Sequence, residues 1–352
     1  MGRLGDALTR ELGRRQAWWL FVLATLVYVL PLILADYRYI DDNWRALSGG
    51  MEWAGQGRLF AELMYKALTL SPGAPNIFPL PLLIATLAMA SALTSLTFHY
   101  WREPRVSNCL VVLPLWYNPF FLQSLSYQYD GPAMALRVVA VIYAISFHRT
   151  SRILQWLVPA GLVALGLGLY QISFNVFLGL CCLEVLKGAH DQLEWRKWRD
   201  LIGCRIAQAA LGALIYGVTA YPFTEANRTL LLNLDADPWL QVLINIGRVL
   251  EKVQLLFHGG FTWVLAGLLL CAIAGAAGLG REISRRRDSA AKRLSIGLVC
   301  LLTLPLVTLL VSGMALFFRD FNEGARTLMG FAVLLVLLFY LGHLALARLH
   351  PR

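Results

Sequence analysis

The sequence predicts an all-α fold, a polytopic membrane helix bundle of about ten transmembrane helices with short helices in its outer loops. Of the 352 residues, 58% are hydrophobic and only 15% are charged, with a mean hydropathy of +0.60. A soluble chain of this length needs far more polar surface. Apolar runs long enough to cross a hydrocarbon core of about 30 Å recur from one end to the other. The basic residues sit mainly in short loops between those runs, where they set topology. Repeated spans argue for a single membrane domain over residues 1–352.

The chain opens with a polar, basic stretch and an apolar run from Ala17 that ends at Asp36-Tyr37-Arg38. With no small-residue cleavage site, this reads as an uncleaved first span. The remaining spans are expected at 79–98, 106–122, 131–147, 153–169, 170–187, 205–220, 259–280, 294–318 and 328–347. The fifth and sixth share one apolar stretch, interrupted by Gly166, Gly168 and Tyr170-Gln171, and two short spans joined by a tight turn fit it best. The loop 36–78 is too long for a simple turn and reads as holding an amphipathic helix around 51–70. A second helix is expected at 239–257 within the loop 221–258, and shorter loops cover 123–130 and 319–327. Loops of this size gathered on one face build sites.

With the N-terminus inside, the cytoplasmic segments hold 21 Lys and Arg, the outer loops hold 9, and Arg137 lies within a span. That bias places both termini in the cytoplasm. The same arrangement puts 12 of the 21 Asp and Glu residues outside, beside individual arginines and aromatics. The net charge of +10 therefore reflects topology rather than a nucleic-acid partner. The six cysteines fall in or at the edges of spans and read as small buried hydrophobes. The six histidines have no ligand spacing, so no metal site and no cofactor are expected. No strand, Gly-rich loop and helix succession offers a nucleotide fingerprint.

The strongest chemical signal is Tyr39-Ile40-Asp41-Asp42-Asn43-Trp44-Arg45, directly after the first span. Adjacent carboxylates at a desolvating interface repel one another, which raises the pKa of one of them. A carboxylate so placed can take a proton from a sugar hydroxyl. The alternative is that Asp41 and Asp42 cap the helix that follows. Arg137 lies inside a span, where charge is expensive and a functional role is the default. Asp130, two turns away on the same helix face, is its expected partner. Arg326, just before the last span, suits anion binding, though interfacial anchoring is equally ordinary. Aromatics around 117–129 suit sugar stacking or an interfacial belt.

This order of residues resembles the Gtr-type glucosyltransferases that modify O-antigen. The matching positions are Asp41, Asp42, Arg45, Ser48-Gly49, Trp53 and Gly57-Arg58 in the first outer loop. Further along they are Asn118-Pro119 with the polar, aromatic loop ending at Asp130, then Tyr170-Gln171, then Arg326. They are scattered over the first 180 residues and the last 30, and the stretch 186–313 matches no motif. The family in turn resembles the GT-C class of multi-span transferases.

The resemblance implies an inverting glucosyltransferase in a bacterial inner membrane, with its active site facing the periplasm. The donor would be an undecaprenyl-phosphate sugar drawn from the membrane lipid, and the acceptor a surface glycan such as lipopolysaccharide O-antigen. A donor synthase and a flippase would be partners. Asp41 or Asp42 would be the catalytic base, with Asp41 the favoured member. Arg58, Arg137, Arg319 and Arg326 would hold the donor phosphate without a divalent metal. Arg45, Trp53, Asn118, Tyr127, Asp130, Tyr170 and Gln171 would contact sugar or acceptor. A multi-span transporter or lipid flippase is the alternative, against which stands the absence of a repeat between the two halves.

Overall fold

The computed structural model describes residues 8–225, 232, 237–319, 321–322 and 324–349, without the side chain of Arg152. Among these residues there is no β-strand; an isolated bridge pairs Glu11 with Arg105. The helices are α1 (Arg14–Ala35), α2 (Asp41–Ser48), α3 (Leu59–Thr69), α4 (Leu80–Tyr100), α5 (Val106–Val112), α6 (Pro119–Ser126) and α7 (Asp130–Ser146). They continue with α8 (Arg152–Leu169), α9 (Ser173–His190), α10 (Trp195–Thr219), α11 (Pro238–Gln254), α12 (Gly260–Ser284), α13 (Ala290–Leu309) and α14 (Phe331–Leu349).

Six helical segments are long and apolar enough to cross a membrane: α1, α4, α10 with the turn after it, α12, α13 and α14. The expected total of ten is thus met by six on length and composition, while α8 is a shorter apolar helix. The expected span at 106–122 is not one helix. Pro114 sits in a 3-10 turn at Leu113–Leu115 and Pro119 opens α6, so the backbone breaks where prolines remove N–H donors. The expected break in the long apolar stretch is present, since α8 stops at Leu169, Tyr170–Ile172 turn the chain and α9 starts at Ser173, but neither helix is among the six of spanning length and hydropathy. α10 begins at Trp195, ten residues ahead of the apolar run, because the polar segment Trp195–Asp200 continues the same helix.

The core lies among α1, α4, α5, α7, α9 and α14. Ala85, Ala90 and Ala92 keep α4 slim between α1 and α7, to both of which it packs. Its Thr86, Thr94 and Thr97 hydroxyls donate to carbonyls one turn back, so none of these three is left unpaired. Of the apolar stretch of α4, 61% is buried, against 17% for α12 and for α13, which marks these last two as peripheral. α12 is nonetheless held tightly against α14: a Cβ on Gly275 would collide with the Leu341 carbonyl oxygen.

The chain runs back and forth between two ends of this bundle. One end gathers 36–78, the loop before α7, the α8–α9 turn, 221–225 and the segment before α14. Cross-links tie these together: Arg45 to Asp130, Glu225 N–H to the Gly55 carbonyl, Gln171 to the Gln56 carbonyl, and Arg326 to Gln123. The opposite end carries Arg286, which donates to the carbonyls of Ala189 and Leu193.

Candidate active site

The first loop makes a sharp entry into α2. Asp36 and Ile40 take positive φ values of 43° and 46°, and the two acids follow as the first residues of the helix. Asp42 is fully buried, and its carboxylate accepts from the backbone N–H groups of Gln128 at 2.8 Å, Tyr39 at 3.0 Å and Tyr129 at 3.1 Å. Burial pushes its pKa up, with a contribution from Asp130, against the pull of those three donors. Asp41 is different. Its side chain is 49% exposed, and one carboxylate oxygen stands 3.8 Å from the Arg326 guanidinium.

Asp130, at the start of α7, collects the other loop side chains. It accepts from Trp53 Nε1 at 2.8 Å, Arg58 Nη1 at 2.9 Å and Arg45 Nε at 3.2 Å. Arg45 also donates to the carbonyls of Gly50 and Met51, and its guanidinium lies 4.2 Å from the Trp53 ring. The expected pairing of Asp130 with Arg137 is therefore overturned. Arg137 is fully buried, donates through Nε to the Met134 carbonyl, and leaves both Nη atoms without a partner. It stacks 4.4 Å from the Tyr170 ring, which also carries the Arg58 guanidinium at 3.9 Å.

Arg326 sits in a 3-10 turn at Ala325–Thr327. Its backbone N–H donates to Gln123 Oε1, and its Nη1 donates to the Tyr127 hydroxyl at 2.8 Å. Burial works against its charge, but Tyr170, Tyr127, Asp41 and Asp130 outweigh it and raise its pKa.

These groups surround a polar cavity of about 380 Å³, with Asp41, Arg45, Arg58, Tyr170 and Arg326 in its walls beside Trp44, Glu52, Gln56 and Asn322. An apolar groove of about 390 Å³ adjoins it, sharing Gln56, Arg58, Tyr170 and Asn322 and continuing over Leu167, Ile172, Phe174, Met314 and Phe318. Gln171 lines this groove and donates to the Gln56 carbonyl and the Tyr216 hydroxyl. Gly57 makes the junction possible. It has φ +71°, and a Cβ there would meet Gln171 Nε2 at 2.5 Å. A charged chamber opening onto an apolar groove suits an amphiphile with an anionic head.

Residues 16–337 match the family description Glucosyl transferase GtrII. The chain belongs to this GtrII family. An "uncharacterized 55.3 kDa protein in gtrB 5'region" of Salmonella phage P22 is 22% identical over 250 residues. The aligned region is 70% of this chain and 50% of that protein, so the chain spans about half the length of this curated relative. No solved structure matches. The GtrII match runs through 186–313, the stretch in which the local motifs find nothing.

Of the thirteen candidate site residues read from the sequence of this GtrII chain, five line the polar cavity and Gln171 lines the groove. Trp53, Asp130 and Tyr127 stand behind the walls and hold the arginines. Asp42 and Arg137 are buried. Asn118 caps α6 by accepting from the Phe120 N–H and lines neither cavity. Arg319 is exposed and pairs with none of these side chains among the described residues. Sequence reasoning missed Trp44, Glu52, Gln56 and Asn322 as wall residues. Gln56 lies inside the Gly55–Arg58 motif, which was a usable signal; Glu52 faces the cavity from a residue with φ 31°, which no pattern announces.

Among the described residues no three His, Cys, Asp or Glu side chains converge as a metal site would require.

Proposed function

We propose that this GtrII chain is a membrane glucosyltransferase that moves glucose from a polyprenyl-phosphate donor to a surface glycan such as O-antigen, on the periplasmic face of a bacterial inner membrane. The observation that carries the reading is the juxtaposition of Asp41 and Arg326 in a polar cavity that opens onto an apolar groove. The groove suits the prenyl chain, and Arg58 and Arg326 stand where that chain would deliver its phosphate. Trp44 offers a ring face to the sugar, while the Tyr170 ring is held between the Arg58 and Arg137 guanidinium groups.

In this mechanism the acceptor oxygen attacks the anomeric carbon and forms the new glycosidic bond. The bond from that carbon to the phosphate oxygen breaks, and the electron pair leaves with the polyprenyl phosphate. Asp41 takes the acceptor's proton, and the arginines hold the growing phosphate charge. Attack opposite to departure inverts the anomeric configuration. Arginine supplies a bidentate, permanently charged partner, so the step needs no divalent metal. Transfer is expected to persist in a chelator; activity lost to the chelator and restored by one metal would reverse that part of the proposal.

The test supplies purified protein with a panel of polyprenyl-phosphate sugars and a defined O-antigen glycan, then measures transfer and product anomer. Glucose transfer with inversion is expected. Movement of the lipid-linked sugar across vesicles without transfer would favour the flippase alternative.

A further inference from the structure

A second polar pocket of about 400 Å³ lies on the other side of α2, bounded by Asp36, Tyr37, Arg38, Asn43 and Asn76. The glucosyl-transfer reading leaves it unused. α2 is the partition: Asp41, Trp44 and Arg45 fall at i, i+3 and i+4 and face the reaction cavity, whereas Asn43 lies about 200° round the helix from Asp41, on the opposite face.

The pocket is built rather than incidental. Gln128, 4% exposed, donates through Nε2 to Asp36 at 2.9 Å and accepts from Asn76 Nδ2 at 3.2 Å, so one buried amide fixes both rims. The backbone N–H of the same residue anchors Asp42, which ties the pocket floor to the helix bearing Asp41. The side chains of Tyr37 and Asn43 make no hydrogen bond among the described residues, and Tyr37 is 70% exposed. They are left free for a ligand.

The geometry points to this pocket as an acceptor-glycan subsite, holding sugar residues of the acceptor beyond the one that is glucosylated. Its chemistry selects a neutral polyhydroxylated ligand. Asp36 and Arg38 leave the pocket without net charge, so it favours neither an anion nor a cation, while amides with both donors and acceptors match sugar hydroxyls, and Tyr37 offers a ring face. A helix with side chains is about 10–12 Å across, so an extended glycan lying over α2 reaches from Asp41 to Asn43. The inference rests on the glucosyl-transfer reading and adds to it that the enzyme prefers a polymeric acceptor over a single repeat unit.

The test uses the full chain in lipid nanodiscs, polyprenyl-phosphate glucose, and O-polysaccharide fragments of one repeat unit and of many. Tyr37→Ala with Asn43→Ala removes two side chains that bond to nothing described, so folding is expected to survive; a thermal melt checks this. The double variant should raise KM for the long fragment by about tenfold, as loss of one or two polar contacts does, and leave kcat and the short-fragment KM unchanged. Equal effects on both fragments, or no effect on either, overturn the subsite. Direct binding of the long fragment without donor is measured in parallel. If wild-type protein transfers no glucose at all, the function reading fails, and the binding arm still decides: weaker binding by the variant supports the pocket, and equal binding removes it.

Discussion

Asp42 spends its carboxylate on the N–H groups of Tyr39, Gln128 and Tyr129, while Asp41 beside it keeps a carboxylate open to the cavity near Arg326. Asp41→Asn keeps the shape but cannot accept a proton, so turnover should fall by about 10²–10⁴-fold while binding of the lipid donor survives. Glu52 is the control, because it is the other carboxylate in that wall. Glu52→Gln should retain most activity, and a collapse there with normal Asp41→Asn turnover would move the base to Glu52. Asp42→Asn should act on the fold instead, since an amide NH2 then faces a backbone N–H. A loss of about 1–3 kcal/mol is expected, read from thermal melting. The pH dependence has a definite sign. With its folded pKa raised, Asp42 holds a proton in the folded chain that the unfolded chain has already released. Its contribution to stability is therefore greatest below the ordinary carboxylate pKa and is lost as pH rises through the folded value. That component of the pH profile should vanish in Asp42→Asn.

The first loop folds as a short helix, a 3-10 turn and a second helix, and its geometry turns on the stretch from Trp53 to Arg58. Gly57 at φ +71° ends the 3-10 turn at Ala54–Gln56 and delivers Arg58 to both Asp130 and Tyr170. Gly57→Ala brings a left-handed residue, which costs about 1–2 kcal/mol, and a contact with Gln171 that must open. Donor KM should rise with little change in expression. Arg58→Ala and Arg326→Ala should both weaken donor use strongly. Lys should rescue only partly, since it loses the planar fork and, at Arg58, the stacking on Tyr170. Unchanged kinetics in both alanine variants would take these arginines out of the phosphate site. Part of this element was legible beforehand. The acidic pair, Arg45, Trp53 and Gly57-Arg58 lie close in sequence, and their clustering is local. The partner of Asp130 was not, because seven residues along a helix are about 10 Å apart on its axis. Arg45 and Arg58 instead reach Asp130 from 85 and 72 residues away, and no periodicity encodes such a meeting. The break at Pro114 and Pro119 was readable in principle, but the hydropathy of 106–122 concealed it.

At the scale of the molecule, the back-and-forth path puts every expected outer loop that is described at one end, so the whole functional reading depends on which side of the membrane that end faces. The cross-links from Arg45 to Asp130 and from Arg326 to Gln123 make this end a unit, so a single accessible position reports on all of it. The 21-to-9 distribution of Lys and Arg predicts that the opposite end faces the cytoplasm. Some of those basic residues have other work: Arg286 is buried and bonded to the carbonyls of Ala189 and Leu193. Arg285 and Arg287 beside it remain exposed to carry the bias. The check is cysteine labelling. In cells whose outer membrane admits the reagent, a membrane-impermeant thiol label should reach Ser71→Cys, in the loop after α3. Ser289→Cys, before α13, should react only once the inner membrane is permeabilised. The native cysteines sit within helices and are buried or half-buried, so a background lacking them is expected to fold with small hydrophobic replacements. The reverse labelling would place Asp41, Arg58 and Arg326 on the cytoplasmic side, and a periplasmic transfer to surface glycan would then have no site on this chain.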